Sequence, residues 1–201
     1  MLKALKFSDM IFNYGRFHNN KVNQAIHFIF IPIIQFTLFI LGAVYWHTLP
    51  VSYLEGVVPG GYICIETWVF SFCVVVAYFI ADPGTAIVTT LWSVAQLIAA
   101  QHMAAANADV FTGYISGHAF QLKDFALYLH LGAWLAQFYG HGVHEGRAPA
   151  LMTNIFYALL APFFITFEFL YLVFSYKKDE MKSIRKRIEE DIEAFELNKG
   201  R

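Results

Sequence analysis

Residues 24–46 read QAIHFIFIPIIQFTLFILGAVYW, 23 residues without one Asp, Glu, Lys or Arg. At about 1.5 Å per residue a helix of this length spans roughly the 30 Å of a bilayer's hydrocarbon core. Four more apolar runs follow at about 62–80, 84–106, 125–143 and 150–174. Gly, Pro and polar residues mark the junctions between them: Val58-Pro59-Gly60-Gly61, Asp82-Pro83-Gly84, Gly113 to Gly117, and Gly140 to Pro149. The reading is an all-α fold: a polytopic membrane helical bundle with four crossing helices, a re-entrant or bent fifth segment and an amphipathic C-terminal helix. The first run starts too late and runs too long for a cleavable signal peptide, so it is expected to be a retained signal anchor.

Composition agrees. Of 201 residues, 58% are apolar and 14% charged, against about 45–50% and 25% in soluble domains. This excludes a disordered chain and, with a net charge of −1, a nucleic-acid binder working by bulk charge. Two cysteines, Cys64 and Cys73, offer neither a disulfide framework nor a Cys-rich metal motif. Of 29 charged residues, five fall in positions 1–23 and fifteen in 177–201, as expected where charge inside a spanning helix costs about 2.5–3.5 kcal/mol. The division is therefore a membrane domain, residues 1–176, and a charged tail, 177–201.

In that tail Met181, Ile184, Ile188, Ile192 and Phe195 form a narrow apolar stripe at helical spacing. Its basic residues come first and its acidic ones last, the reverse of what the helix dipole favours. Either an anionic membrane surface beside Lys177 and Lys178 sets that order, or the helix is simply solvated.

Eight histidines carry the chemistry. Asn23 and His27 share a helix face; His18 and His27, nine apart, converge only if a helix starts between them. Asn19 or Asn20 is a suitable N-cap, which lets His18 fold back over the first turn. The second cluster is Gln137 to Pro149, with His141, Glu145 and Arg147 among three glycines that loosen the helix end. His130 lies close to the face of His141 and is expected in the same groove. His47, His102, His118 and His144 read as ordinary interhelical hydrogen-bonders. Asp82, before Pro83-Gly84, reads as a helix cap, and Glu168 as an ionisable group within an apolar run. Imidazoles suit iron, copper and zinc, and two His with one carboxylate is a non-haem iron pattern. A His/Glu proton relay or lipid carrier without catalysis is the competing reading. A relay strings such groups through the membrane depth, whereas a metal site gathers them at one level.

Two motifs add to this. Tyr14-(x3)-His18-(x4)-Asn23-(x3)-His27 runs on into Phe28-Ile29-Phe30-Ile31-Pro32. Gln137-Phe138-(x2)-His141-Gly142-(x2)-Glu145-Gly146-Arg147-(x1)-Pro149-Ala150-Leu151-(x2)-Asn154 follows, with Ala161-Pro162-Phe163 and Phe167-Glu168-Phe169 beyond it. Together they resemble the 2-hydroxy fatty acid dioxygenases over about residues 11–175, departing at His144 and between Gln101 and Lys123. The resemblance implies an Fe²⁺ enzyme of fatty acid α-oxidation in the endoplasmic reticulum membrane, or in a bacterial inner membrane. It would use O₂ to cleave a 2-hydroxy long-chain fatty acid to CO₂ and an acid one carbon shorter. It implies His18, His27 and His141 as metal ligands, with Glu145, Asn23 and Arg147 in catalytic roles. Arg147 would face the substrate carboxylate, or instead anchor the helix end. Tyr14, Asn154, His130 and Glu168 are the expected substrate-binding residues.

A shared metal requires the three histidines on one membrane side. Four crossings satisfy this. A fifth would separate the basic tail from the basic N-terminus against the positive-inside tendency, so residues 150–174 are expected to dip and return near Pro162, leaving both termini cytosolic.

Overall fold

A computed structural model describes residues 6–45, 48–50, 62–105, 113–115, 118–149, 152 and 156–199. Asn154 and His47 lie outside the described residues. A short helix, α1 (Phe7–Gly15), precedes four long ones, α2 (Lys21–Tyr45), α3 (Ile65–Ala81), α4 (Pro83–Ala105) and α5 (Leu122–Tyr139). A π-turn, Gly140–Glu145, prolongs α5, and α6 (Phe156–Phe174) and α7 (Lys178–Lys199) follow. Two three-residue antiparallel pairs sit in the connections at one end: β1 (Thr48–Pro50) with β2 (Tyr62–Cys64), and β3 (Gly113–Ile115) with β4 (His118–Phe120).

Helices α2 to α5 alternate in direction around a shared interior. That interior is unusually polar, with Thr37, Thr85, Thr89, Ser93, Gln101 and Gln137 buried, while Phe72, Leu91 and Leu135 are about 70% exposed on the outside. Small and polar residues inside and large apolar ones outside are the arrangement of helices packing in lipid, where close approach and interhelical hydrogen bonds replace water exclusion. By length and composition α2, α4 and α6 are each able to cross a membrane; α3, with 17 residues, is shorter. Asp82 caps α4 as expected, accepting from the Thr85 N–H at 2.9 Å and its hydroxyl at 2.7 Å. The deep interior is closed by Phe39, Ile40, Leu97, Ala100, Leu122 and Ala126 from α2, α4 and α5.

The last apolar run departs from expectation in one respect. Helix α6 passes through Pro162 unbroken rather than turning back there. A proline inside a helix forfeits one hydrogen bond and costs about 3 kcal/mol. Here the flanking side chains are held tightly: Phe163, Phe164 and Phe167 are almost fully buried. Thr166 donates to the Pro162 carbonyl at 2.7 Å and accepts from the Trp92 indole at 2.9 Å. The chain nonetheless returns to its starting end. Tyr78, in the last turn of α3, donates to the Leu159 carbonyl near the start of α6, and Tyr176, just past its end, donates to Asp82 at the α3–α4 junction. Both ends of α6 thus meet the same end of the four-helix bundle.

At that end α7 packs on α1. Met181, Ile184 and Ile188 of the apolar stripe are buried with Phe7, Met10, Ile11 and Tyr14. A β-carbon on Gly15 would meet the end of the Ile188 side chain, which would have to shift. The reversed charge order of α7 is met within the molecule. Arg187 pairs with Asp9 at 3.2 Å, and Asp191 with Arg147 at 2.8 Å and Arg16 at 3.4 Å.

Candidate metal centre

His18 sits in the linker between α1 and α2. Asn20 caps α2 by accepting from the N–H groups of Val22 (2.9 Å) and Asn23 (3.3 Å). The helix therefore starts between the two histidines, and His18 folds back beside His27. His141 comes from the π-turn. Its preceding Gly140 lies against the Asn23 side chain, leaving no room for a β-carbon. The chain reverses at Gly146, whose φ of 65° suits glycine.

The three buried imidazoles converge, with one ligand nitrogen from each within 4.8 Å of the others. Their rings stand nearly perpendicular in pairs, 78–87° apart, with centroids 4.3, 4.7 and 4.9 Å apart. His18 Nδ1 donates to the Tyr14 carbonyl and His27 Nδ1 to the Asn23 carbonyl, both at 2.8 Å. These carbonyl acceptors fix the protons on Nδ1. The two Nε2 atoms, 3.0 Å apart, therefore face each other with lone pairs and no proton between them. Burial, and then the neighbouring His27 and His141, push the His18 pKa well down, so a shared proton is a poor remedy. A metal cation is a good one: neutral imidazoles oriented through their far nitrogens are the usual metal ligands. The donor set fits iron, copper or zinc.

The surrounding residues hold this arrangement. Tyr14 stacks on His18 (centroids 4.0 Å, 16°) and on Phe164 (4.7 Å, 20°), and its hydroxyl donates to Glu168 at 3.1 Å. Glu145 accepts from the N–H groups of Asn19 and Asn20, both at 2.9 Å, and from Asn23 Nδ2 at 3.1 Å. Both its oxygens are committed to the start of α2, which leaves the trio of histidines as the metal-ligating group among the described residues. Asn23 also donates to the Phe17 carbonyl at 3.2 Å, tying the linker to α2. Arg147 is buried and occupied: it donates to the Arg16 carbonyl at 3.0 Å and to Asp191, and lies 3.8 Å over the Phe195 ring. That is the anchoring alternative, with α7 as its partner. His130 accepts from Trp134 Nε1 at 3.0 Å and contacts Thr37 at 2.9 Å. It holds Trp134, which lines the cavity; His130 itself does not.

An apolar cavity runs from the histidines into the bundle between α2, α3, α4, α5 and α6, past Ile31, Val74, Trp134 and Phe164 to Phe39 and Leu97. One of its polar lining groups, Gln137, enters the sequence reading only as the start of the second motif. Gln137 is 5% exposed, lies one turn before His141, and its Nε2 has no hydrogen-bond partner. Its four-residue spacing from His141 was the available signal. His141 Nδ1 is likewise buried without a partner.

A curated relative, the 2-hydroxy-palmitic acid dioxygenase MPO1 of Saccharomyces cerevisiae, is 38% identical over an alignment of 101 residues, covering 43% of this chain and 55% of that protein. The chain thus matches about half the length of this relative. No solved structure matches. Residues 4–173, well over half of the chain, match the family described as 2-hydroxy-palmitic acid dioxygenase Mpo1-like, and they contain every residue of the histidine centre. On that match, the chain belongs to the Mpo1-like family.

Proposed function

We propose that this protein is an iron(II)-dependent dioxygenase that shortens 2-hydroxy long-chain fatty acids by one carbon within a membrane. The balanced reaction consumes one 2-hydroxy acid and one O₂ and yields the shorter acid, CO₂ and water. The observation that carries the reading is the pair of facing Nε2 lone pairs on His18 and His27, joined by His141 at the mouth of an apolar cavity. The relative's name supplies the substrate class.

His18, His27 and His141 would hold the metal, which when bound supplies a meeting place for O₂ and a Lewis acid for the substrate's carboxylate and 2-hydroxyl. The protein's own contributions follow from its side chains. Gln137 Nε2, unpartnered and beside His141, donates a hydrogen bond to the substrate carboxylate. Trp134 and Phe164 shield the reacting carbons from water, and the cavity aligns the acyl chain so that its first two carbons lie at the histidines. Tyr14, braced by Glu168, keeps the His18 ring in its plane. A proton relay fits less well, because the three histidines, Glu145, Arg147 and Asp191 gather at one end of the bundle instead of spanning its depth. Basic residues at the same end, Lys177 and Lys178 among them, support a cytosolic orientation for both termini, in the endoplasmic reticulum or a bacterial inner membrane.

The test is iron content and turnover of anaerobically prepared protein. The wild type should retain about one iron per chain and convert 2-hydroxy acid to the one-carbon-shorter acid; His18→Ala, His27→Ala and His141→Ala should each lose both properties. Folded wild type that takes up no iron and leaves 2-hydroxy acids untouched defeats the proposal.

A further inference from the structure

The cavity beneath the histidines has a floor. Two residues that line it, Phe39 and Leu97, also belong to the packed cluster that closes the deep interior. The other buried members of that cluster, Ile40, Ala100, Leu122 and Ala126, do not reach the cavity. The deep end of the space is therefore set by Phe39 of α2 and Leu97 of α4, beside Leu38, Phe70 and Val94, which line it and are partly exposed.

The depth follows from helix geometry. Phe39 lies twelve residues beyond His27 on the same helix, a distance of about 18 Å at about 1.5 Å per residue. An extended hydrocarbon chain, with bonds of about 1.5 Å and angles near 111°, advances about 1.25 Å per carbon. The space between metal centre and floor thus takes about 14 carbons. The walls suit such a chain. The polar groups at this depth are few: Gln35 donates to Ser93 at 3.2 Å, and Ser71 presents one buried hydroxyl without a partner.

We infer that Phe39 and Leu97 form the stop of an acyl-length gauge, which selects saturated 2-hydroxy acids of about 14 carbons, with a tolerance of about two either way. This rests on the proposed function for the head-group chemistry, while the gauge itself is a property of the cavity. Ile34, which lines the cavity between His27 and the stop, sets the complementary test. Ile34→Phe fills the tunnel part-way, and Phe39→Ala opens its floor.

The experiment uses full-length protein in one fixed membrane preparation and saturated 2-hydroxy acids of about 8 to 20 carbons. Turnover is measured, together with displacement of a fluorescent fatty acid as a readout independent of chemistry. The wild type should show best displacement and turnover near 14 carbons and at least about a tenfold fall by 20, since a chain too long for the stop forfeits several buried methylenes at about fourfold each. Phe39→Ala should move the optimum at least two carbons longer, and Ile34→Phe should move it at least four shorter. Iron content and monodisperse elution verify that each variant is folded. A wild type without turnover, whose displacement still peaks and shifts as stated, refutes the dioxygenase reading and upholds the gauge. Superimposable displacement profiles for wild type and two folded variants overturn the gauge even if turnover is found.

Discussion

Replacing Glu145 with Gln is the sharpest probe of how the histidine centre is held. The carboxylate joins the π-turn carrying His141 to the linker carrying His18 and the first turn of α2, which carries His27. Its Oε1 takes the Asn19 N–H, and its Oε2 takes the Asn20 N–H and Asn23 Nδ2. A glutamine keeps the shape and can retain the Oε2 pair. Its amide nitrogen then confronts the Asn19 N–H, so one bond is lost and the negative charge is gone. A hydrogen bond to a charged group contributes about 1.5–3 kcal/mol, and a carboxylate at a helix N-terminus about 0.3–1 kcal/mol more. The sum, about 2–4 kcal/mol, is an upper bound, because the Asn19 contact is exposed to solvent. Expressed at the centre, that bound is about 30–900-fold, and the exposed Asn19 contact brings the expectation down to about 10–100-fold, the loss typical when a residue supporting a metal ligand is changed. The assay is anaerobic Fe²⁺ titration of wild type, Glu145→Gln and Glu145→Asp, with melting temperatures alongside. Glu145→Gln should bind iron about 10–100-fold more weakly and still reach full occupancy. An affinity within threefold of wild type would refute the bracing role. Complete loss of iron from a folded variant would instead make Glu145 a ligand.

Three further outcomes follow from the same geometry. Gln137→Leu should keep its iron but lower kcat/KM on 2-hydroxy acids by about 10–100-fold, the loss of one hydrogen bond to a charged group; unchanged kinetics would remove Gln137 from the substrate site. Asp191→Asn leaves the buried Arg147 guanidinium poorly paired and should destabilise the protein by about 1–3 kcal/mol, less than for a fully buried pair because Asp191 is partly exposed; an unaltered melting temperature would show that α7 does not anchor it. Burial alone would raise the Asp82 pKa, but hydrogen bonds from Thr85 and then Lys177 outweigh it and hold the carboxyl below its ordinary value. Its stabilisation is therefore present above the unfolded value near 4 and is lost as pH falls through the lower folded value. Asp82→Ala should cost about 0.5–2 kcal/mol near neutrality and flatten the fall in melting temperature below about pH 5; a parallel fall in both proteins would contradict this.

The helices were legible because their signal is local. The uncharged run at 24–46, the Asn20 cap and the Asp82 cap each depend on a few neighbouring residues, and each reappears in place. The meeting of His18 and His27 was also accessible, since a helix start between them lets His18 fold back; that His141 joins them was implied by the resemblance of the motifs and not by spacing. Partners distant in sequence were not legible. Arg147 read either as a group for the substrate carboxylate or as a helix-end anchor, and neither reading named Asp191, which meets its guanidinium from a helix beyond α6. His130 has the right helical phase for the groove, but Trp134 and Thr37 claim both its ring nitrogens. Helix α1 carries a regular apolar stripe, Phe7, Met10, Ile11 and Tyr14, but the stripe on α7 that covers it lies far off in sequence.

The closure of α7 over α1 also imposes an order of events during synthesis. Arg16 and Asp191 are 175 residues apart, so at about 5–20 residues per second the second emerges roughly 10–35 s after the first. His18 and His27 are made early, yet the buttress behind Arg147 arrives last. Until then Arg16 and Arg147 lack the Asp191 carboxylate that joins them. If the histidines hold a metal as proposed, a chain stalled before α7 would hold it without the Arg147–Asp191 tie.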